Sequence, residues 1–291
     1  MMNTIVTLSQ YQFIRVSGAD TRSFLQGQVS CDVTKISTSK SVRGALCNLK
    51  GRVIADFRAL QINEDILLQV SADLVDTVLA VLKKYAVFSK ITLNHDESFC
   101  SLGLIVPREE TENFQIPDSV STIRTDTHKQ TITIIELWGT VSDIATTREA
   151  LAMGTSEGTQ QQWIEQENLR GIAHVTKKTS EEYTPALLNY DISGVVDFKK
   201  GCYTGQEIVA RMFYRSTPKK RLFGLVSEQA LPQGFAVTEV GGDTISELLS
   251  TGTHSTLAIL PVDANKRSYQ VEDQASEQGT LLLIEFDYSP N

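Results

Sequence analysis

The chain has 291 residues, 41% of them hydrophobic and 21% charged, with a formal net charge of −8. That is ordinary for a globular protein of two or three compact units, and the acidic balance disfavours a broad nucleic-acid surface, whose affinity rests on neutralising phosphates. No apolar run approaches the roughly 20 residues that span a bilayer, and the first residues, with Asn3, Thr4, Thr7, Ser9, Gln10 and Gln12 among the apolar ones, do not read as a secretory leader.

Ser17-Gly18-Ala19-Asp20 supplies cap candidates for a short helix carrying Phe24 and Leu25. Over 52–60 the residues alternate: Val53, Ala55, Phe57 and Ala59 share one face, and Arg52, Ile54, Asp56 and Arg58 the other. A period of two predicts a strand. A second strand is predicted over 66–70. Ser71 then stands as the N-cap of a helix whose Leu74, Val75, Val78, Leu79 and Leu82 share a face. Lys83 and Lys84 suit the negative pole at its end. Strands are predicted at 90–93, 99–106 and 131–137, and a helix over 143–153. The polar, acidic stretch 107–121 reads as a long loop. Residues 153–158 read as a boundary before a helix with Trp163, and Thr217-Pro218-Lys219-Lys220 as a linker. Beyond it, short apolar runs at 222–226, 257–261 and 281–286, separated by Gly241-Gly242 and polar stretches, predict a small β-barrel. The pattern is α+β with a β-rich tail.

Cys31, Cys47, Cys100 and Cys202 are scattered, with no C-x-x-C pair. This argues against zinc and against an iron–sulfur cluster held by this chain alone, and for free thiols in a reducing cytoplasm. The stretch 199–207 is the densest in chemistry: two cations, a thiol, a ring, two glycines, an amide and a carboxylate. Gly201 and Gly205 let the backbone turn tightly. Two readings stand, a functional polar loop or a turn around a structural cysteine. Lys199, Lys200, Arg211, Arg215, Lys219, Lys220 and Arg221 form a basic stretch opposed by Glu207 alone, either a solvated face or a site for a small anion. Neither G-x-G-x-x-G nor a Walker A loop occurs, and the aromatic-glycine signature of an RNA-binding sheet is missing.

The run KKGCYTGQEIVAR over 199–211 resembles the signature of the YgfZ family, folate-binding proteins related to the T-protein (aminomethyltransferase) of the glycine cleavage system. Gly18-Ala19-Asp20, Phe24-Leu25-Gln26-Gly27-Gln28-Val29-Ser30 with Asp32-Val33, Asn48-Leu49-Lys50-Gly51-Arg52 and the stretch 82–90 support the match, which runs from near Gly18 to near Arg221. The resemblance implies an α+β, T-protein-like arrangement of three domains around a central opening: 1–47 with 160–216, 48–159, and a C-terminal β-barrel over 217–291. The signature loop and the segment 26–33 would both face the opening.

The resemblance also implies tetrahydrofolate or a derivative as ligand. Tyr11 and Trp163 are the rings expected to stack on it; the family often has tryptophan at the first site, and core anchoring is the alternative role for both. Gln26, Gln28, Lys200, Gly201, Tyr203, Gly205, Gln206, Glu207 and Arg211 are the other binding positions, with the glutamate tail near Lys200, Arg211 and Arg215. Cys202 would face the same opening for sulfur, cluster or one-carbon chemistry. T-proteins carry an acidic pair after the glycine turn; here Asp56 remains and Ala55 takes the other place, so the pocket is kept while the transfer reaction is in doubt.

The implied role is a cytoplasmic folate-binding accessory protein for the synthesis or repair of iron–sulfur enzymes, those modifying tRNA included. Its partners would be such enzymes or their assembly proteins, with no direct nucleic-acid contact and no membrane. Two other readings remain open. One is a folate-dependent aminomethyl or methyl transferase; the other is a scaffold whose basic loop docks an acidic partner.

Overall fold

The structure, a computed structural model, describes residues 3–232, 234–242, 245–272 and 279–288. The chain begins with β1 (Thr4–Thr7), β2 (Tyr11–Ser17), α1 (Thr21–Gln28), β3 (Val42–Cys47), β4 (Val53–Ile62) and β5 (Asp65–Ser71). It continues with α2 (Val75–Tyr85), β6 (Thr92–His95), β7 (Phe99–Pro107), β8 (Ser121–Thr125), β9 (Ile132–Thr140) and α3 (Val141–Leu151). β10 (Ser156–Glu157), α4 (Gln160–Leu169) and α5 (Gln206–Arg215) follow. The last strands are β11 (Lys220–Val226), β12 (Ala236–Glu239), β13 (Glu247–Thr251), β14 (Ser255–Pro261), β15 (Tyr269–Glu272) and β16 (Gly279–Ile284).

These strands form three sheets. One has the order β3-β4-β5-β2-β6, and a second β10-β1-β7-β9-β8, so the two are interleaved through β1. The third, β12-β15-β16-β11-β14-β13, curls until Ser246 beside β13 donates its N–H to the carbonyl of Val237 in β12. β4 shows why the first sheet is buried on both sides. Its Val53, Ala55, Phe57 and Ala59 face is apolar, and on the other face Ile54 and Asp56 are also buried. α2 covers one side with Val75, Val78, Leu79 and Leu82, as its 3.6-residue spacing predicts, and Leu74 just before it joins them. The long stretch 173–205 contributes Val175, Tyr183, Leu188, Tyr190 and Val195 to the same core. It contains neither helix nor strand and is pinned instead by single bonds, among them Val53 N–H to Tyr183 O at 2.8 Å and Ser30 Oγ to Val195 O at 2.8 Å.

Several boundaries differ from the sequence reading, each for a local reason. A 3₁₀ turn, Ala72–Leu74, precedes α2, and Ser71 donates to Asp73 at 2.7 Å instead of capping the helix. Asp20 stands at the N-cap of α1, but its carboxylate accepts the Lys90 N–H at 2.7 Å, tying the helix start to the loop leading into β6. The strands β1, β2, β3 and β8 lie outside the runs marked as strands, because their polar residues break the alternation. The expected division at 47/48 falls inside the β3–β4 hairpin, whose pairing runs from Val42↔Ala59 to Cys47↔Val53. By sheet, 11–95 belong together, and 4–7 join 99–157. The expected boundary at 153–158 contains β10, which pairs parallel with β1.

Candidate functional site

Where the first two sheets meet α4, polar side chains converge on one small opening. β2 supplies Tyr11, β3 Arg43, β4 Asp56 and Arg58, β5 Gln69, β9 Glu136, α4 Glu167, and the chain after α4 His174. His174 is the hub. Its Nδ1 lies 2.7 Å from Asp56 Oδ2, and its Nε2 lies 3.2 Å from Glu167 Oε1. The other oxygen of Asp56 accepts the Val175 N–H at 2.7 Å. The Tyr11 hydroxyl donates to both oxygens of Glu167, at 2.9 and 3.0 Å. Beside this chain, Arg58 pairs with Glu136 at 3.1 Å, and the Trp138 indole N–H donates to the same carboxylate at 3.1 Å.

The electrostatics follow from that geometry. Burial opposes charge on His174, but the attraction of Asp56 and Glu167, with a hydrogen bond to each, outweighs it and pushes the imidazole pKa up to about 10. Burial likewise works against the Asp56 carboxylate, yet His174, Arg43 and the Val175 N–H hold it below its ordinary value. Burial and the neighbouring Glu167 raise Tyr11 well above the usual phenol range. At neutral pH the imidazole is therefore charged, with both of its N–H bonds engaged. Arg43, which adds positive charge, is in no ion pair among the described residues. The space they enclose is about 10 Å³, room for a single water.

Of the residues singled out in the sequence, Tyr11 and Asp56 lie at this opening and Trp163 does not. Trp163 is 0% exposed and packs with Val6, Leu8, Tyr11, Ile105 and Ile134. Its ring lies so close to Gly103 that a Cβ there would sit 2.5 Å from it. Trp163 thus sits in a core cluster and does not line the opening.

The signature loop and the segment 26–33 do meet, and they bind each other. The Lys200 ammonium donates to the carbonyls of Gln26 and Val29 at 2.7 and 2.6 Å, where a cation complements a helix C-terminus, and it lies 5.1 Å from the Tyr203 ring. Thr204 donates through its N–H to Gly27 O at 3.2 Å and through its hydroxyl to Gln28 Oε1 at 3.1 Å. Gln26 spends its own amide on Asp32 and the Val33 N–H. Tyr203 is buried, with its hydroxyl unpartnered among the described residues. Gly205 takes φ +83° at the start of α5, and a Cβ there would come within 2.4 Å of the Asn48 carbonyl oxygen. Gln206, half-buried, donates its N–H to Tyr203 O at 3.1 Å. Glu207 is exposed in the first turn of α5, where a carboxylate suits the helix dipole.

Gly201, Cys202 and Arg211 are exposed, and none of them lines the Asp56 opening. Cys202 is therefore an accessible thiol away from that site, and Lys200, Arg211 and Arg215 are not placed at it either. Cys31 and Cys47 are buried, and burial pushes each thiol up to about 12. Among the described residues no cluster of His, Cys, Asp and Glu is arranged to hold a metal ion, and no helix is long and apolar enough to cross a membrane.

No protein-family model matches the chain. It is 34% identical over 242 residues to the tRNA-modifying protein YgfZ of Colwellia psychrerythraea, covering 78% of this chain and 73% of that one. A protein of the same description from Enterobacter sp. is 30% identical over 250 residues, covering 82% and 75%. The chain belongs to the YgfZ family. The fold is similar to that of the glycine cleavage system aminomethyltransferase T from Bartonella henselae, with a TM-score of 0.77 over 99% of this chain and 86% of that one. At 15% identity that likeness shows the fold alone.

Sequence reasoning missed His174, Glu167, Arg43, Arg58, Gln69 and Glu136. Two of them left a signal. Glu136 is a lone carboxylate in the apolar run Ile134-Ile135-Glu136-Leu137-Trp138, and Arg58 shares with Asp56 the second face of a strand whose first face is apolar. His174 left none, since its partners lie 118 and 7 residues away with no motif linking them.

Proposed function

We propose that this protein binds a reduced folate at the opening over Asp56, Glu167 and His174, and that it acts in tRNA modification as a cytoplasmic accessory protein to iron–sulfur enzymes. The observation that carries the folate part is the convergence of these buried charged groups at a junction of sheets in a T-protein-like fold. The tRNA part rests on the description of the relatives as tRNA-modifying proteins. In this reading the three sheets are three domains around the opening, and the curled C-terminal sheet is its barrel.

The lining suits a reduced folate in chemistry. Carboxylates can accept from the amino and ring N–H groups of a pterin, and Arg43 is a guanidinium without a carboxylate partner among the described residues. The lining does not suit it in size as it stands, since about 10 Å³ admits no bicyclic ring. Binding thus requires side chains at the opening to move aside, with His174, the most exposed of the hydrogen-bonded chain at 30%, the nearest to solvent. The transferase reading has less support. Asp56 commits one oxygen to His174 and the other to a backbone N–H, which leaves it poorly placed to take a proton.

Calorimetric titration with tetrahydrofolate under anaerobic conditions tests the binding. Saturable binding is expected, weakened roughly tenfold or more by Asp56→Asn, because a charged hydrogen-bonding group is lost. No binding at millimolar folate overturns the assignment. The accessory role predicts that cells lacking the protein lose activity of an iron–sulfur tRNA-modifying enzyme and regain it with the wild-type chain.

A further inference from the structure

α5 is an unusual element for a core-facing scaffold. Of its 10 residues only Val209 is buried. Arg211 and Arg215, one turn apart and so on a shared face, are exposed, as are Lys219 and Lys220 just beyond the helix. None of these four cations has an ion-pair partner among the described residues, although the chain as a whole carries −8. Lys219 and Lys220 rim a groove of about 350 Å³ lined mainly by Ala186, Leu187, Met212 and Pro218, with Met212 next in sequence to Arg211. That volume lies in the range of pockets that hold a ligand-sized group. Phe213 and Tyr214, on the same helix, are 40% and 67% exposed.

We propose that this face of α5 docks an acidic segment of a partner protein, with one apolar side chain of that segment seated in the groove and its carboxylates on the four cations. Charge and shape select this occupant. Uncompensated cations around an apolar hole complement a peptide that alternates carboxylates with an aliphatic or aromatic anchor. Single-stranded RNA fits less well. Base stacking needs free ring faces, but Phe213 is already stacked on Phe198, with centroids 3.9 Å apart and planes 17° apart. Tyr214 meets both rings edge-on. The net charge also opposes a polyanion. The exposed Cys202 precedes the N-terminal end of α5, a helix about 15 Å long, whereas the groove lies at its C-terminal end. The surface stands apart from the Asp56 opening, so the proposal holds whether or not folate binds there.

Fluorescence anisotropy with the full-length protein tests this. The probe is a short fluorescein-labelled peptide alternating glutamate and aspartate with leucine and phenylalanine, and an oligouridine of matching length is the comparison. The peptide is expected to bind and to lose roughly tenfold or more in affinity in the Arg211→Glu, Arg215→Glu double variant, with binding weakening as salt rises. Met212→Asp, which puts a like charge in the groove, is expected to weaken it comparably. Both changes fall on residues without ion-pair partners among the described residues, and circular dichroism confirms that the variants fold. Three results would overturn the proposal: no peptide binding at millimolar concentration, equal binding by wild type and both variants, or oligouridine binding more tightly than the peptide with the same arginine dependence.

Discussion

Replacing His174 by glutamine probes the buried charge chain directly. In the folded protein the imidazole pKa is pushed up to about 10, against about 6.5 for a free histidine. A group raised in this way stabilises the fold fully below pH 6.5, and the contribution is lost as pH rises through about 10. At about 1.4 kcal/mol per pH unit the gap corresponds to about 5 kcal/mol. The side chain is 30% exposed, so solvent screening brings the expected contribution to roughly 3 kcal/mol, in line with the loss of one partner from a partly buried ion pair. Urea unfolding of wild type and His174→Gln from about pH 6 to about pH 9.5 measures it. Wild type is expected to be more stable by roughly 3 kcal/mol at the acid end, with the difference shrinking steadily toward the alkaline end. A difference that is flat across the range, or one that vanishes between about pH 6 and 7, would mean that His174 is not held charged by Asp56 and Glu167, and the electrostatic account would fail.

Trp163→Ala is expected to cost about 3–5 kcal/mol in urea unfolding, as a fully buried indole leaves a cavity; a loss under about 1 kcal/mol would contradict core anchoring. Gly205→Ala places a Cβ 2.4 Å from the Asn48 carbonyl at φ +83°, whereas Gly194→Ala, at φ +81°, meets nothing within 4 Å. The first should therefore lower Tm clearly more than the second, and equal losses would show that the close approach to Asn48 does not matter. In the native protein an aromatic disulfide reagent should modify Cys202 first, since Cys31 and Cys47 are buried; unchanged fast labelling in Cys202→Ser refutes this. The same variant should keep wild-type Tm and folate binding but fail to restore the iron–sulfur enzyme in cells. Full restoration would make the thiol dispensable.

Local pattern decided those parts of this protein in which a residue's environment depends on near neighbours. The alternation over 52–60 fixes β4, and the spacing of Leu74, Val75, Val78, Leu79 and Leu82 fixes the buried face of α2. Gly205 is a sequence-legible feature for the same reason, since the left-handed turn before α5 costs a glycine least. The signature run itself marked the family that the relatives show. Tertiary structure decided the rest, because its contacts join residues far apart in the chain. His174 finds Asp56 across 118 residues, and Tyr11 finds Glu167 across 156. Lys200 meets two carbonyls at the end of α1, more than 170 residues earlier. Trp163 packs in a core cluster because Gly103 on β7, with no side chain, leaves room for its ring. In each case the side chain's chemistry was visible in the sequence. Which neighbours it met was fixed by how β1 crosses into the second sheet and how 173–205 folds back over the first, and no local periodicity records that.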